Sequence, residues 1–249
     1  MPDASSIKTL FAGISLRYDL LNRLLSFGVD RAWRRRAVAA LRRRERDGQG
    51  PPALDVCCGT GDLSLDLAAG GFKVAGVDFC HEMLVEGRRK ISADDRRTAG
   101  EKSSLRIRLA EADALELPFP DATFAAATVA FGARNLEDLD AGLREIQRVL
   151  KPGGSLAVLE FGRPGNPLTR ALYGGYLNVV VPIVGRVISG RAGAYTYLSS
   201  SIQTFPDQSA FPDRLRRAGF AEVECHDLTF GIAALYVARK PSGGSPSQG

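Results

Sequence analysis

Residue types that build metal sites and disulfide frameworks are scarce in this sequence. The 249 residues include four cysteines, none in a C-x-x-C pair, and two histidines. A zinc site with its usual ligand spacing is therefore excluded, and a disulfide framework is disfavoured. The sequence also lacks a signal peptide, and its most apolar stretch, 171–190, is too interrupted by glycine, proline and arginine to cross a bilayer as one helix. These absences predict a cytoplasmic, reduced protein with no metal site.

Positive charge is in excess, but it is concentrated in one segment. The sequence has a formal charge of +5, whereas residues 31–46 hold eight arginines and one glutamate, which is +7 and leaves −2 for the remainder. A generally basic nucleic-acid-binding surface is therefore not indicated. Arg35, Arg42 and Arg46 fall on one face of a predicted helix over 30–46. That face is either solvated or suited to contact with anionic lipid.

Hydropathy patterns divide the chain into helical and alternating regions. Helical periodicity covers 7–25 and 30–46, and the glycine- and proline-rich stretch 48–52 marks a boundary. Short apolar runs then alternate with helical stretches, as in a parallel sheet with crossover helices. The predicted strands are 53–57, 73–77, 105–110, 124–130, 155–161, 222–227 and 232–238, and helices fall near 62–69, 81–91, 138–150 and 208–218.

The predicted organisation is an N-terminal helical segment, 1–48, followed by an α/β domain over 49–240. Within that domain, the span 163–205 is poor in acidic residues and rich in glycine, tyrosine and branched aliphatics. We predict that it forms an apolar insertion over the mouth of the sheet. The tail 241–249 consists mostly of glycine, serine and proline and is predicted to be disordered.

A glycine turn follows the first predicted strand. The stretch Leu54-Asp-Val-Cys-Cys-Gly-Thr-Gly-Asp62 contains Gly59 and Gly61, which permit a tight turn and close approach of a ligand to the backbone. A dinucleotide fingerprint requires a third glycine at position 64, which is serine, and the Gly-Lys-Ser/Thr of a P-loop is absent. On these residues alone, a purely structural turn remains the alternative.

Acidic residues follow the next two predicted strands. Asp78 comes seventeen positions after Gly61, where a carboxylate can accept both hydroxyls of a ribose. Asp113 could accept from an exocyclic amine, and the Ala114 amide could donate to a ring nitrogen. Each aspartate alone could instead be a helix N-cap. Three strand ends in register, with no cationic side chain beside the glycines, predict a site for a nucleoside without phosphates.

Longer motifs resemble those of a known family. They are Tyr18-Asp-Leu-Leu-Asn22-Arg-Leu-Leu-Ser26-Phe-Gly-Val-Asp-Arg-Ala-Trp33, Leu117-Pro-Phe-Pro-Asp121, Phe131-Gly-Ala-Arg-Asn135 and Arg148-Val-Leu-Lys-Pro-Gly-Gly-Ser-Leu-Ala-Val-Leu-Glu160. With these motifs the sequence resembles, over about residues 7–239, the UbiE/COQ5/MenG quinone C-methyltransferases, a family of class I S-adenosylmethionine-dependent methyltransferases. It departs from the family pattern at Leu21, Asp30, Ala130 and Gly162, where the family usually has Met, His, Ser and Ser.

The resemblance implies a fold, a cofactor and a substrate. The implied fold is a Rossmann-like α/β class with a seven-stranded, mostly parallel sheet. The cofactor would be S-adenosyl-L-methionine. The acceptor would be a polyprenyl quinol, and demethylmenaquinol is the first candidate. A benzoquinol precursor of ubiquinone, or another lipophilic small molecule, is the alternative acceptor. The candidate cofactor-binding residues are Asp55, Gly59, Thr60, Gly61, Asp78, Asp113 and Ala114.

The resemblance also gives context to three candidate catalytic residues. C-methylation of a quinol needs a phenolate, which a base or a nearby cation must stabilise. Arg134 follows the fourth strand and is the candidate cation, although it could instead pair with an acid such as Glu137. Tyr18 is a candidate hydrogen-bond partner of the substrate hydroxyl, or else a packing residue, and Asn135 could orient the same hydroxyl or a water molecule.

Two rival classes remain at this stage. An NAD-dependent oxidoreductase is disfavoured by Ser64 and by the Asp113-Ala114 pair. A nucleic-acid base methyltransferase would carry an Asn/Asp-Pro-Pro-aromatic motif after the fourth strand, where this sequence has Ala130 to Asn135 instead. The expected partners are therefore a polyprenyl quinol and, through 31–46, an anionic membrane at its inner face, with no nucleic acid.

Overall fold

The computed structural model describes residues 4–13, 15, 18–26, 28–42, 50–97, 106–176, 179 and 201–242. Most of the predicted insertion beyond residue 176, the end of the predicted helix 30–46 and all but the first two residues of the predicted tail lie outside the described residues. The described helices are α1 (Ala4–Ala12), α2 (Tyr18–Leu25), α3 (Asp30–Arg42), α4 (Asp62–Ala69), α5 (His81–Arg97), α6 (Leu139–Val149), α7 (Pro167–Gly175) and α8 (Phe211–Arg217).

The predicted strands are confirmed and form one sheet. They are β1 (Pro52–Val56), β2 (Lys73–Asp78), β3 (Ile107–Glu111), β4 (Phe124–Ala130), β5 (Leu150–Phe161), β6 (Ala221–Leu228) and β7 (Ala233–Arg239). The seven strands lie in the order β3-β2-β1-β4-β5-β7-β6. β7 is antiparallel to both of its neighbours, and the pairings from β3 to β5 are parallel.

This order decides where a ligand can bind. The direction of winding reverses between β1 and β4, and in open α/β sheets the crevice at such a reversal, beyond the carboxyl ends of the strands, is the ligand site. The antiparallel β7 between β5 and β6 departs from the 3-2-1-4-5-6 order of dinucleotide-binding sheets. The strand order thus disfavours the alternative of an NAD-dependent oxidoreductase.

Helices cover both faces of the sheet. α6 and α8 pack on one face through residues such as Ile146 and Phe211. On the other face α3 and α4 bury residues such as Trp33 and Leu67. Side chains of β7 alternate between the two cores, as expected of a strand covered on both sides. The sheet is therefore a rigid platform for the groups at its carboxyl edge.

The region of helical periodicity over 7–25 holds two helices. Gly13 follows α1, and the Ser15 hydroxyl donates to the carbonyl of Ala12 at 3.2 Å. A hydroxyl bound to the last carbonyl of a helix offers the backbone an alternative to continued helix. α2 then begins at Tyr18.

The arginines of α3 do not all face solvent. Arg31, Arg35 and Arg36 are exposed, whereas Arg34 is 8% exposed. Arg34 forms ion pairs with three aspartates, of which Asp30 is its neighbour one turn earlier on α3. The free basic surface of this helix is thus smaller than the sequence count suggests. No described helix has the length and apolarity needed to cross a membrane.

Candidate cofactor and acceptor site

The glycine loop connects β1 to α4 in a backbone conformation that favours glycine. Gly59 and Gly61 have φ angles of 54° and 77°, in the left-handed region where other residues are strained. A Cβ atom at position 59 would lie 3.3 Å from Met83 Cε and 3.9 Å from Tyr18 Cε1. A side chain at position 59 would therefore reduce the cavity that Gly59 lines together with Tyr18 and Met83.

Asp55 lies beneath this loop and supports it. Its carboxylate accepts from Ser64 Oγ at 2.6 Å and from Thr128 Oγ1 at 2.8 Å, and the residue is 1% exposed. Burial raises its pKa to about 6, although both hydroxyl donors oppose the shift. These bonds give Asp55 a supporting role in the loop, and because it also lines a cavity beside the loop, direct contact with the cofactor stays a prediction.

Asp78 occupies the end of β2 and is also held by the loop. One carboxylate oxygen accepts from the Gly59 amide at 2.8 Å and the other from the Cys80 amide at 2.9 Å. Burial raises its pKa, although these backbone donors act in the opposite direction. Each oxygen keeps a lone pair, so the carboxylate is fixed in place and can still accept from the two hydroxyls of a ribose.

A cleft next to Asp78 contains the other predicted nucleoside-binding residues. Its lining includes Asp78, Phe79, Asp113, Ala114 and Asn135. One Asp113 oxygen accepts from the Leu115 amide at 2.9 Å, which fixes the carboxylate at the rim. An aromatic ring, a carboxylate and a backbone amide in one cleft suit a flat heterocycle with an exocyclic amine.

Two further cavities place Tyr18 beside the glycine loop. Both are lined by Tyr18, Gly59 and Phe131, and the second also contains Asp78 and Asn135. Burial raises the pKa of Tyr18, so its hydroxyl stays protonated at neutral pH. The structure thus brings Tyr18 and Asn135 to the edge of the cofactor cleft, and both remain candidates for contact with a bound acceptor.

The ends of β1 and β4 approach each other unusually closely. Cys57 and Phe131, which follow these strands, both have φ of 55°, a strained value for residues other than glycine. A Cβ atom at Gly132 would lie 2.4 Å from Cys57 Cβ, so only glycine fits there. Local strain of this kind clusters at functional sites, and here it coincides with the reversal point of the sheet.

Hydrogen bonds and ion pairs join α2 to the glycine loop. Asp19 accepts from the Thr60 hydroxyl and forms an ion pair with Lys90 of α5. Lys90 also donates to Thr60 Oγ1 at 2.9 Å and pairs with Asp62 at 2.6 Å. The expectation of no cation beside the glycines is therefore wrong, because α5 brings Lys90 there. Two carboxylates neutralise it, so the loop still offers no phosphate site.

Arg134 lies in a buried ion pair at the end of the sheet. Its Nη1 donates to Glu160 Oε2 of β5 at 2.8 Å, and its backbone amide donates to Oε1 at 3.3 Å. The two side chains are 5% and 1% exposed, and the guanidinium lies 5.4 Å from the ring centroid of Phe161. The suggested pairing with Glu137 is thus wrong: the partner is a strand carboxylate that fixes the guanidinium.

The residues present fit S-adenosylmethionine. Asp78 matches the ribose, the cleft at Asp113 and Ala114 matches the adenine, and the cavity between Gly59 and Tyr18 matches the methionine part. The sheet order and these groups define a class I S-adenosylmethionine-dependent methyltransferase. Within the described ranges, no group of three or more histidine, cysteine, aspartate or glutamate side chains is arranged to hold a metal ion.

Solved structures of the same class share the fold. One is a methyltransferase from Thermotoga maritima, a possible histamine N-methyltransferase, with TM-score 0.62, 18% identity and coverage of 93% of this chain and 99% of that one. Another is phosphoethanolamine N-methyltransferase 2 from Haemonchus contortus in complex with S-adenosyl-L-methionine, with TM-score 0.59 and 17% identity. The match covers 83% of this chain and about half, 52%, of the worm protein.

The family follows from sequence comparison. The model of the ubiE/COQ5 methyltransferase family matches residues 2–240, and the chain belongs to this family. It is 46% identical over 93% of its length to the whole of a Thermus thermophilus protein named demethylmenaquinone methyltransferase. It is 43% identical over 94% of its length to a Geobacter sulfurreducens protein named ubiquinone/menaquinone biosynthesis C-methyltransferase UbiE, of which the match covers 88%.

Sequence reasoning missed several residues of the site. Phe79 directly follows Asp78, and an apolar residue after the acid of the second strand is a signal that could have been used. Glu160 ends one of the motifs that carry the family resemblance, but nothing in that motif indicates its pairing with Arg134. Lys90 reaches the loop through tertiary packing, for which the sequence offers no local signal.

Proposed function

We propose that this protein transfers a methyl group to a ring carbon of a polyprenyl quinol, with demethylmenaquinol as acceptor and menaquinol as product. The observation that carries this proposal is the similarity, over nearly the whole sequence, to proteins named demethylmenaquinone methyltransferase from Thermus thermophilus and Deinococcus radiodurans. The bound S-adenosylmethionine would supply an electrophilic methyl group. The acceptor carbon would form the new C–C bond as the C–S bond breaks, and the ring would lose the proton from that carbon.

The residues of the protein would act on the acceptor and on its charge. Arg134, oriented by Glu160, would stabilise the developing phenolate, and Tyr18 and Asn135 would position its oxygen. Positioning and preorganised charge supply much of the rate acceleration in transfers of this kind. A neutral Arg134–Glu160 pair would also repel a sulfonium less than an isolated guanidinium would, which suits a site beside a positively charged cofactor.

The test is an anaerobic assay of the purified protein. S-adenosylmethionine is mixed with a chemically reduced, short-tailed demethylmenaquinol, and the methylated quinol and S-adenosylhomocysteine are quantified by mass spectrometry. We expect both products in equal amounts, and the Asp78→Ala variant is the matched control. The proposal fails if the naphthoquinol is not methylated by wild type that binds S-adenosylmethionine.

A second acceptor is supported by one observation. Relatives from Geobacter sulfurreducens and Geotalea daltonii carry names that include ubiquinone as well as menaquinone biosynthesis. The same assay with a prenylated benzoquinol decides between the two acceptors. Methylation of the benzoquinol alone would replace demethylmenaquinol as the substrate, and methylation of both would assign the two activities to one protein.

We also propose that residues 31–46 contact anionic lipid, where a polyprenyl quinol is found. Arg31, Arg35 and Arg36 are exposed on the outer side of α3, while Trp33 and Leu41 of the same helix are buried in the core. A cationic face of this kind is attracted to anionic lipid with a strength that falls as salt rises. Sedimentation with anionic and with neutral vesicles tests the contact.

A further inference from the structure

The hydroxyl group of Tyr173, on the helix that follows β5, is buried. Its oxygen is shielded from solvent and has no hydrogen-bond partner within the described part of the chain. Hydroxyl groups in protein interiors are nearly always hydrogen-bonded, because an unsatisfied one costs free energy. An unsatisfied buried donor is therefore a candidate for a hydrogen bond to a bound ligand.

Tyr173 is held in this place by α7, which follows β5 after a short turn. The helix starts at Pro167, and the Asn166 side chain accepts from the amides of Leu168 and Thr169. Leu168 and Leu172 are 69% and 68% exposed. The hydroxyl of Tyr173 is buried although its neighbour Leu172 is exposed, so this side chain points inward.

The charges around Tyr173 belong to the pair that the proposed reaction uses. Both Arg134 and Glu160 act on its hydroxyl electrostatically. Burial nevertheless raises the pKa of Tyr173 well above its ordinary value, with Arg134 opposing the shift. The group therefore remains a protonated phenol at neutral pH and can donate a hydrogen bond.

Tyr18 and Tyr173 come from segments far apart in the sequence, one before β1 and the other between β5 and β6. Tyr18 starts α2, before β1, and lines the cavities at the glycine loop. Tyr173 lies on α7, after β5, and the charge of Arg134 reaches both hydroxyls. A quinol carries two oxygens on one ring, so two phenols sharing one guanidinium match the number of oxygens to be held.

We propose that the Tyr173 hydroxyl binds the acceptor by donating a hydrogen bond to one ring oxygen of the quinol, beside the Arg134–Glu160 pair. This inference rests on the proposed function. It makes Tyr173 a substrate-binding residue that the sequence motifs do not identify. It also links α7, the first helix of the predicted insertion, directly to the acceptor.

The test compares Tyr173→Phe with wild type and with Tyr176→Phe, which removes a partly buried hydroxyl from the residue that follows the same helix. We expect kcat/KM for short-tailed demethylmenaquinol to fall about tenfold to a hundredfold in Tyr173→Phe, the scale of one hydrogen bond to a charged group. Affinity for S-adenosylmethionine should change less than threefold in both variants. The midpoint of thermal unfolding without ligand should stay the same or rise in Tyr173→Phe.

A binding cycle separates a substrate contact from a structural role. Competition measures the affinity of wild type and Tyr173→Phe for an alkyl naphthohydroquinone and for the two naphthols that each lack one ring oxygen. We expect the variant to lose affinity for the diol but to bind one of the naphthols as wild type does. Equal losses for all three ligands, unchanged kinetics, or a lower unfolding midpoint would overturn the inference. Failure of wild type to bind or methylate any naphthoquinol would overturn the proposed function, and this inference with it.

Discussion

The two halves of the active-site edge are built in different ways. In the cofactor half, at the ends of β1, β2 and β3, polar contacts are made by backbone amides and short side chains, as in the bonds from Gly59 and Cys80 to Asp78. In the acceptor half, at the ends of β4 and β5, the contacts belong to long side chains such as Arg134 and Glu160. α2, which precedes β1, adds Tyr18 to the cavities at this edge.

This difference explains what the fold keeps and what it varies. Solved structures at 17 to 18% identity retain the sheet, yet one of them is named for phosphoethanolamine and another for histamine as a possible acceptor. Backbone contacts place few demands on the sequence, because they need only glycines and one acid. An acceptor half made of long side chains from distant segments can change its specificity without disturbing the cofactor half.

The largest effect should come from breaking the acceptor half at Arg134. We expect Arg134→Ala and Arg134→Lys to lower kcat by roughly a hundredfold or more, while affinity for S-adenosylmethionine changes less than tenfold. Steady-state kinetics and calorimetry measure the two quantities. Lysine keeps the charge but loses the planar donors that reach Glu160, so we expect it to fail as well. Normal turnover by both variants would mean that Arg134 has only a structural role.

The buried pair complicates this experiment, and stability measurements resolve it. Arg134→Ala leaves Glu160 buried without its cation, which we expect to lower the free energy of unfolding by about 3 to 5 kcal/mol. The double variant Arg134→Met/Glu160→Gln removes both charges and should recover most of that stability. If it recovers stability without recovering turnover, the loss of turnover is a chemical effect of the missing guanidinium.

Breaking the cofactor half should affect affinity instead of turnover. Asp78→Ala removes the proposed acceptor of two ribose hydroxyls, and a hydrogen bond to a charged group contributes about 1.5 to 3 kcal/mol. We expect S-adenosylmethionine to bind at least tenfold more weakly, measured by calorimetry on folded protein. Unchanged affinity would remove Asp78 from the site, and tighter binding of NAD than of S-adenosylmethionine would favour an oxidoreductase.

A smaller effect should appear in the pH dependence of stability. Burial raises the pKa of Asp55 to about 6, above its value in an unfolded protein, so its contribution is complete below about pH 4 and is lost as the pH rises through 6. Asp55→Asn removes this dependence. We expect the unfolding free energy of wild type to fall relative to the variant by roughly 1 to 3 kcal/mol between pH 4 and pH 7.

Urea unfolding at a series of pH values measures this difference. Asp227→Asn, at an exposed position on β6, is the control and should follow wild type throughout. A constant difference between Asp55→Asn and wild type across the series would mean that the pKa of Asp55 is the same in the folded and unfolded protein.

The smallest effect concerns a surface outside both halves. Arg35→Gln on α3 should weaken binding to anionic vesicles about fivefold, because one basic residue near such a surface contributes about 1 kcal/mol. The triple variant Arg35/Arg42/Arg46→Gln should lose more, and turnover of a short-tailed quinol should stay near normal. Lys151→Gln, an exposed cation after α6, is the control, and equal loss in all variants would make the α3 face merely solvated.

The two halves also differ in how far the sequence predicts them. Gly59, Asp78, Asp113 and Ala114 follow strands in order, so strand periodicity alone brings them to one edge of the sheet. Glu160 also lies near the end of a strand, β5. Its pairing with Arg134 depends on β4 and β5 being neighbours in the sheet, which the sequence does not state. The position of Tyr173 depends on how α7 packs, for which there is no local signal either. The split between α1 and α2 was missed because a serine and a glycine, weak signals by themselves, end α1.

The bond between Ser64 and Asp55 bears on how far this loop lies from a dinucleotide-binding one. A single codon change to glycine at position 64 would complete the G-x-G-x-x-G spelling, but it would also strip the buried Asp55 of a donor 2.6 Å away, at a site where Ser64 is 0% exposed. The cost of an unsatisfied buried group is about 1 to 3 kcal/mol. Glycine at position 64 is therefore expected to lower the stability of this protein unless the residue at position 55 changes as well.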